Sequence, residues 1–247
     1  MKQQLLILIL LISALSFTRE VEGSNNTELL TENAFSGGIV VHNRGIGGEL
    51  TYFRQLTADR YSTYSLGLRS QRHPKEIRLI TQVLSQERMF TYGKQNSFYT
   101  INLMYGQRQA LTRAYEHRDV VIDLHYRGGV SFGLLKPVYL EIIKIEPGAD
   151  ERSLSTEKYD PERHNEEDIY GKAGFAHGLG GISPMFGGSF QTGIGFQWNR
   201  KENSYRHLEA GVSIDAFPSE IPIFAKNTDN PQMFFNIYLK YSVGKTW

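Results

Sequence analysis

Val120-Val-Ile-Asp-Leu-His-Tyr-Arg-Gly-Gly-Val-Ser-Phe-Gly-Leu134 is the stretch whose reading decides the fold. Val120, Ile122, Leu124, Tyr126, Val130, Phe132 and Leu134 share one parity. Val121, Asp123, His125, Arg127, Gly129, Ser131 and Gly133 share the other. In an extended chain successive side chains point to opposite faces, so this alternation describes a strand between an apolar and a polar medium. The same pattern recurs in both directions. Tyr99, Ile101, Leu103 and Tyr105 oppose Thr100 and Asn102, while Phe190, Ile194, Phe196 and Trp198 oppose Ser189, Gln191, Gly195 and Gln197. Leu208, Ala210, Val212, Ile214 and Ala216 oppose His207, Glu209, Gly211, Ser213 and Asp215. Met233, Phe235, Ile237, Leu239, Tyr241 and Val243 oppose Asn236, Tyr238, Lys240 and Ser242. Weaker strands are expected at Gly37–His42, Leu50–Gln55 and Tyr61–Arg69.

These are eight strands, an even number, and their connections alternate in length. The connections Thr57–Arg60, Arg108–Arg118 and Asn199–Asn203 are short; Gln71–Gln95, Lys136–Phe186 and Pro218–Asn230 are long. Short turns on one side and long loops on the other are the asymmetry of an up-and-down antiparallel transmembrane barrel with both termini on the periplasmic side. Only the first hairpin, at Asn43–Gly45, is short where a loop is expected. Arg78–Val83 and Val138–Ile145 also read as extended, either lengthening barrel strands or adding a pair, so a ten-stranded closure stays open. Alternation by itself does not separate inside from outside, and a lipocalin-type soluble barrel would bury the apolar face instead. Aromatic residues near strand ends (Tyr99, Tyr105, Trp198, Phe217, Tyr241) favour the membrane arrangement, in which they form interfacial girdles. So does the final strand, where Tyr241, Val243 and Trp247 share the apolar parity and form a terminal assembly signal, interrupted by Lys245.

Composition agrees. The 247 residues carry a net charge of +1, too little for the basic face a nucleic-acid partner requires. The absence of cysteine excludes disulfides, thiolate chemistry and an acylated lipobox. A mean hydropathy of −0.37 is compatible with a membrane barrel, whose lumen and loops are polar. Lys2, the apolar run Leu5–Ile12 and the small-x-small site Ala14-Leu15-Ser16 read as a signal peptide over residues 1–16. That run is shorter than the roughly 20 apolar residues a spanning helix needs. Residues 17–34 are expected to be a flexible periplasmic lead-in and residues 35–247 the outer-membrane barrel of a Gram-negative envelope. The expected partners are outer-membrane lipid, the outer-membrane assembly machinery and an envelope protein complex.

The stretches Ser36-Gly-Gly-Ile-Val-Val-His42, His73-Pro-Lys-Glu76, Tyr92-Gly-Lys-Gln-Asn-Ser-Phe98, Gly133-Leu-Leu-Lys-Pro-Val-Tyr-Leu-Glu-Ile142 and Val243-Gly-Lys-Thr-Trp247 resemble the outer-membrane β-barrel proteins of Bacteroidota. The resemblance implies architecture and location. It carries over no activity and no catalytic residue.

Two constellations invite chemistry. Asp123, His125 and Arg127 project from one strand into the same lumen, with Ser131 and Ser213 on the same parity. Asp123, His125 and Ser131 are the residue types of a hydrolase, such as a lipid-modifying barrel. Against this, an eight-stranded barrel is filled by side chains. The acids Asp123, Glu209 and Asp215 are then expected to pair with Arg127, Arg69 and Lys240. In the loop 146–186, His164, Glu166, Glu167, Asp168 and His177 are metal-ligand types, yet no spacing matches an EF-hand or a zinc helix. Gly244-Lys245-Thr246 lacks the upstream glycine of a phosphate loop, since Leu239 stands there. No metal or cofactor is expected. The leading reading is a structural or surface-binding barrel acting through its loops. A lumen enzyme centred on His125 and an accessory subunit of an export or assembly complex follow, and a pore ranks below them because eight strands leave little bore.

Overall fold

The computed structural model describes residues 33–77, 79–83, 86–112, 120–145, 152–165, 168–198, 204–225 and 230–247. The signal segment and most of the lead-in lie outside them. Eight strands are long: β1 (Asn33–His42), β2 (Gly45–Thr57), β3 (Arg60–Gln71), β6 (Asn96–Ala110), β7 (Val121–Pro137), β11 (Ser183–Gln197), β12 (Tyr205–Ala216) and β13 (Met233–Thr246). Each pairs antiparallel with its neighbour in this order, and β13 returns to β1, closing the barrel. Asn33 and Trp247 exchange both backbone hydrogen bonds at 3.1 Å, so the seam is tied at its last residue pair. The first strand starts at Asn33, which places Asn33 and Ala34 in the barrel rather than in the lead-in.

Parity assigns the faces as the sequence predicts. Ile39, Leu68, Phe186 and Ile237 point outward and are 54–66 % exposed. Thr100, Asn102, Asp123, Gln191, Ser213 and Asp215 point inward and are fully buried. The apolar face is therefore the outer one, the reverse of a lipocalin. An outer aromatic row runs Trp247, Tyr52, Tyr64, Tyr105 with ring separations of 6.5, 6.2 and 5.0 Å, near the end that holds the termini.

Of the stretch Arg78–Val83, Arg78 lies outside the described residues; Leu79–Val83 and Val138–Ile145 neither lengthen the barrel strands nor enlarge the eight-stranded barrel, so the ten-stranded closure does not occur. The remaining strands make small sheets at the loop end. β4 (Leu79–Val83) and β5 (Gln86–Phe90) form a hairpin, and β8 (Tyr139–Ile145) lies between β9 (Arg152–Lys158) and β10 (Ile169–Lys172). The physical reason is patterning: β8 carries Leu140 and Ile142 on one face, and a barrel wall lengthened past the apolar belt would expose them to water. Here they join Phe90, Val138, Tyr159 and Ile169 in a core of their own, with Leu79 packed against it.

A second apolar cluster closes the mouth of the barrel. After β12 the chain turns inward, and Ile221 and Ile223 pack with Phe98, Leu135, Phe217, Phe224 and Phe234. Asn230 Oδ1 accepts from the backbone N–H groups of Ile223 (3.1 Å) and Phe224 (3.0 Å), which holds the turn. Ile223 O accepts from Gln95 (2.9 Å) and Asn96 (3.1 Å), while Ala225 donates to Gly93 O at 3.0 Å. Gly93 sits at φ 76°, where a side chain would be strained, and this lets β5 turn into the cap. At the terminal end, Ala34, Phe53 and Tyr205 form a third, smaller cluster.

Candidate functional site

Two places hold chemically capable residues: the lumen, and the sheet module at the loop end. In the lumen Glu49 is the hub. Its carboxylate accepts from Arg69 Nη2 at 2.9 Å, Arg127 Nη1 at 2.6 Å and Lys240 Nζ at 2.8 Å. Glu209 bonds Arg127 Nη2, Lys240 Nζ (2.7 Å), His125 Nε2 (3.0 Å) and the Tyr238 hydroxyl (2.7 Å). One pleat nearer the termini, Asp123 meets Arg108 Nη2 at 2.8 Å and His207 Nε2 at 2.9 Å. Arg108 also donates to Gln197 Oε1 (2.8 Å) and the Tyr205 hydroxyl (3.0 Å), and its guanidinium lies 5.4 Å from the Phe53 ring centroid. Toward the mouth, Asp215 accepts from Asn102 Nδ2 (2.6 Å) and Gln71 Nε2 (3.0 Å). Thus Glu49, Glu209, Asp123 and Asp215 face Arg69, Arg127, Lys240 and Arg108, four carboxylates against four cations, all buried. In a low-dielectric interior that neutrality is what permits so many charges.

The expected pairing is present at Glu209, which meets Arg127 and Lys240, and differs elsewhere. Asp123 bonds Arg108, not Arg127; Arg69 bonds Glu49; and Asp215 is held by two amides rather than a cation. Nor do the hydrolase candidates converge. Asp123 engages His207, His125 engages Tyr238 (2.8 Å) and Glu209, and Ser131 Oγ makes no side-chain hydrogen bond. Glu49, Arg108, His207, Gln191 and Tyr238 are the residues that sequence reasoning missed as site members. Glu49 and Arg108 have the correct parity but lie one and three residues beyond the strand limits that apolar alternation defined, Leu50 and Tyr105.

Gly195 shows how tightly this layer is built. A Cβ there would lie 2.2 Å from His207 Nε2 and 2.5 Å from Asp123 Oδ1. We expect Gly195→Ala to destabilise by about 1–3 kcal/mol through overpacking. Gly188→Ala, on the outer face with its nearest neighbour at 3.9 Å, should be neutral in the same urea titration of the folded barrel.

The module presents a cleft of about 610 Å³ lined by Gln95, Asn96, Tyr139, Glu157, Lys158, Tyr159, Asp160, Pro161, Arg163 and His164. Its walls are ordered by hydrogen bonds. His164 Nδ1 accepts from the Asp160 N–H (3.1 Å), the Tyr159 hydroxyl accepts from the Gly93 N–H (3.2 Å), and Asn96 Nδ2 donates to Pro222 O (2.7 Å). Glu157 binds Lys144 Nζ, Ser155 Oγ (2.9 Å) and His164 Nε2 (3.4 Å). These bonds, Lys144 first, hold its carboxyl down at about 2 against an ordinary 4.5. A depressed carboxyl stabilises the fold above its unfolded value and loses that contribution as pH falls through the folded one. Pepsin cleavage of the module, normalised at each pH to cleavage of an unfolded substrate, should therefore rise modestly between pH 4.5 and 2, and Glu157→Gln should remove that normalised rise. Among the described residues no group of His, Asp and Glu is placed to hold a metal. His164 lies on the cleft and the His177 ring lies tilted against Tyr139 at 6.4 Å, while Glu166 and Glu167 lie outside the described residues.

No family model matches the chain, and no curated protein matches it. Among solved structures, the barrel is similar to Neisserial surface protein A, with 8 % identity over 87 % of this chain and 96 % of that one, at a TM-score of 0.42. It is similar to Ail, the attachment invasion locus protein of Yersinia pestis, with 10 % identity, 87 % and 95 % coverage and a TM-score of 0.36. The N-terminal β-barrel domain of Pseudomonas aeruginosa OprF matches with 7 % identity, 87 % and 96 % coverage and a TM-score of 0.33.

Proposed function

We propose that this chain is an outer-membrane barrel whose lumen is a structural plug and whose function is surface binding through the module on its loop end. The observation that carries this reading is the module itself: two small sheets with their own apolar core, built from the connections that a purely structural barrel could keep short. Functional residues gather on ordered loops set on a rigid scaffold. The outward apolar belt supports membrane placement, since only closed sheets and helices satisfy their backbone in lipid. The loop lengths support a module on the outer side and termini on the periplasmic side. Tyr241, Val243 and Trp247, outward-facing and 44–61 % exposed, are the residues an assembly machinery would read.

The test is a barrel with 138–182 replaced by a short turn, displayed on cells beside the intact chain. Heat-modifiable migration should report that both barrels are folded. Cells with the intact chain should adhere to at least one of immobilised mucin, heparin or collagen, and cells with the shortened chain should not. Equal adherence of both would overturn the reading.

A second reading, a subunit of an envelope complex, is favoured by one feature. Ile80 and Met89 sit opposite each other on the β4–β5 hairpin and, with Ile77, are 59–72 % exposed. Co-purification from mild detergent, lost on Ile80→Asp, would support it. A lumen enzyme has no such observation behind it, and His125→Ala should leave the envelope lipids unchanged.

A further inference from the structure

Lys136 has no role in the lumen, the cap or the cleft. It stands on β7 one outward position past the apolar ladder Val130, Phe132, Leu134, where that ladder leaves the belt. It is nevertheless only 4 % exposed, because the segment after β10 folds down over it. The Phe175 ring lies 4.8 Å from its ammonium and 6.5 Å from the ring of Tyr99, an outward residue of the neighbouring strand β6. Among the described residues no carboxylate pairs with Lys136. What it has nearby is more positive charge: Lys172, exposed at the end of β10, is close enough to repel it.

The same cation links to a second group. Lys94 is salt-bridged to Glu76 at 2.8 Å. Burial lowers the Lys94 ammonium, the Glu76 bond opposes this, and the charges of Lys172 and Arg72 lower it further. Arg72 is exposed and also acts on the Tyr99 hydroxyl. Lys94 and Lys172 line one cleft with Glu76, and Lys136 and Arg72 act on these lysines from the ends of β7 and β3, so the four cations gather on one side of the rim, with Glu76 as the carboxylate among the described residues there. A buried ammonium without a counter-charge is unfavourable unless an anion completes the site. Phe175, 62 % exposed, and Leu179, 47 % exposed, present apolar surface at the same level.

We propose that the loop-end rim over β3, β6 and β7 binds the phosphate of an anionic lipid of the outer leaflet, with Lys136 and Lys172 as the cations and Phe175 as the ring that seats the lipid. The proposal rests on the membrane placement above, which fixes this rim at headgroup level. Cations just beyond a spanning segment attract anionic headgroups, and aromatic rings favour the same depth.

The test uses the full chain refolded in detergent, with native mass spectrometry as the readout. The probes are phosphorylated lipid A, dephosphorylated lipid A and inorganic phosphate. Each headgroup-level cation contributes about fivefold, so retention of the phosphorylated lipid should exceed the dephosphorylated one by roughly 25-fold. Lys136→Gln and Lys172→Gln should each lose about fivefold of this selectivity. Lys245→Gln, at the opposite rim, should lose none. Phe175→Ala should weaken lipid retention without altering phosphate binding. Heat-modifiable migration of every variant keeps a folding failure apart from a binding failure, and Lys172, being exposed, gives a variant whose fold is not at risk. Equal retention of both lipids overturns the site, and so does complete displacement by millimolar phosphate, which would make it a free-ion site. If proteoliposomes yield no protease-protected barrel fragment, the membrane placement fails first and this proposal falls with it.

Discussion

Glu49→Ala should lower the stability of the folded barrel by about 3–5 kcal/mol, the range for leaving buried charges without their partner. Three cations converge on that carboxylate, at 2.9, 2.6 and 2.8 Å. Their side chains and that of Glu49 are at most 1 % exposed, so water cannot take over. With Glu49 gone, Arg127 and Lys240 share Glu209, Arg69 keeps the neutral Gln191 and Ser213, and the lumen carries an excess positive charge in a low-dielectric space. The measurement is the urea midpoint for loss of the heat-resistant band, in wild type, Glu49→Ala, Arg69→Ala and the double variant. The double variant restores charge balance, so it should lose less than the sum of the singles. A Glu49→Ala chain within about 1 kcal/mol of wild type would mean that the network contributes no more than a surface ion pair does. His125 does not relieve the imbalance, since it faces Glu209 rather than Glu49.

The barrel was legible because its physics is local. Period-two alternation needs only a strand and two media, and β7 obeys it from Val121 to Leu135. Strand count and loop asymmetry follow from where alternation stops. The lumen contacts were not legible in the same way. Asp123 and Arg127 share a strand face, yet the cation that reaches Asp123 is Arg108, across the β6–β7 pair, because Arg108 is directly opposite His125 and leans two residues toward the termini. Which long side chain leans which way depends on the shear of the closed sheet, and no sequence spacing encodes it. Glu49 was hidden differently. It follows Gly47-Gly48, and glycines blunt the alternation that would have extended β2 to include it. The module was hidden by competition: Leu140 and Ile142 read as extended, but what separates them from the barrel is that they pack against Ile169, from the long loop, in a core of their own.

Phe98→Ala is the other substitution with a large expected cost. Phe98 is 2 % exposed and sits at the centre of the cap, 5.3 Å from Phe217 edge-on and 5.2 Å from Phe234 in a stacked arrangement. The neighbouring strands make room for these rings. A Cβ on Gly133 would lie 2.7 Å from Phe98 Cε2, and one on Gly187 would lie 2.6 Å from Phe217 Cδ1. A cavity left in so closely fitted a cluster cannot collapse easily, so the loss should be about 3–5 kcal/mol in the urea titration. Two further readouts separate the cap from its surroundings. The module has its own core, made of residues distinct from those of the cap, so protease cutting within β8 and β9 should be unchanged. The variant should also remain silent in a planar bilayer, because Glu49, Glu209 and their cations fill the lumen below and Arg108, Phe53 and Tyr205 close the other end. Conductance from Phe98→Ala would place the barrier in the cap and would demote the ion network from plug to lining. Silence from Phe98→Ala together with conductance from Glu49→Ala would assign the closure to the charges, the arrangement in which the same residues that stabilise the barrel also seal it.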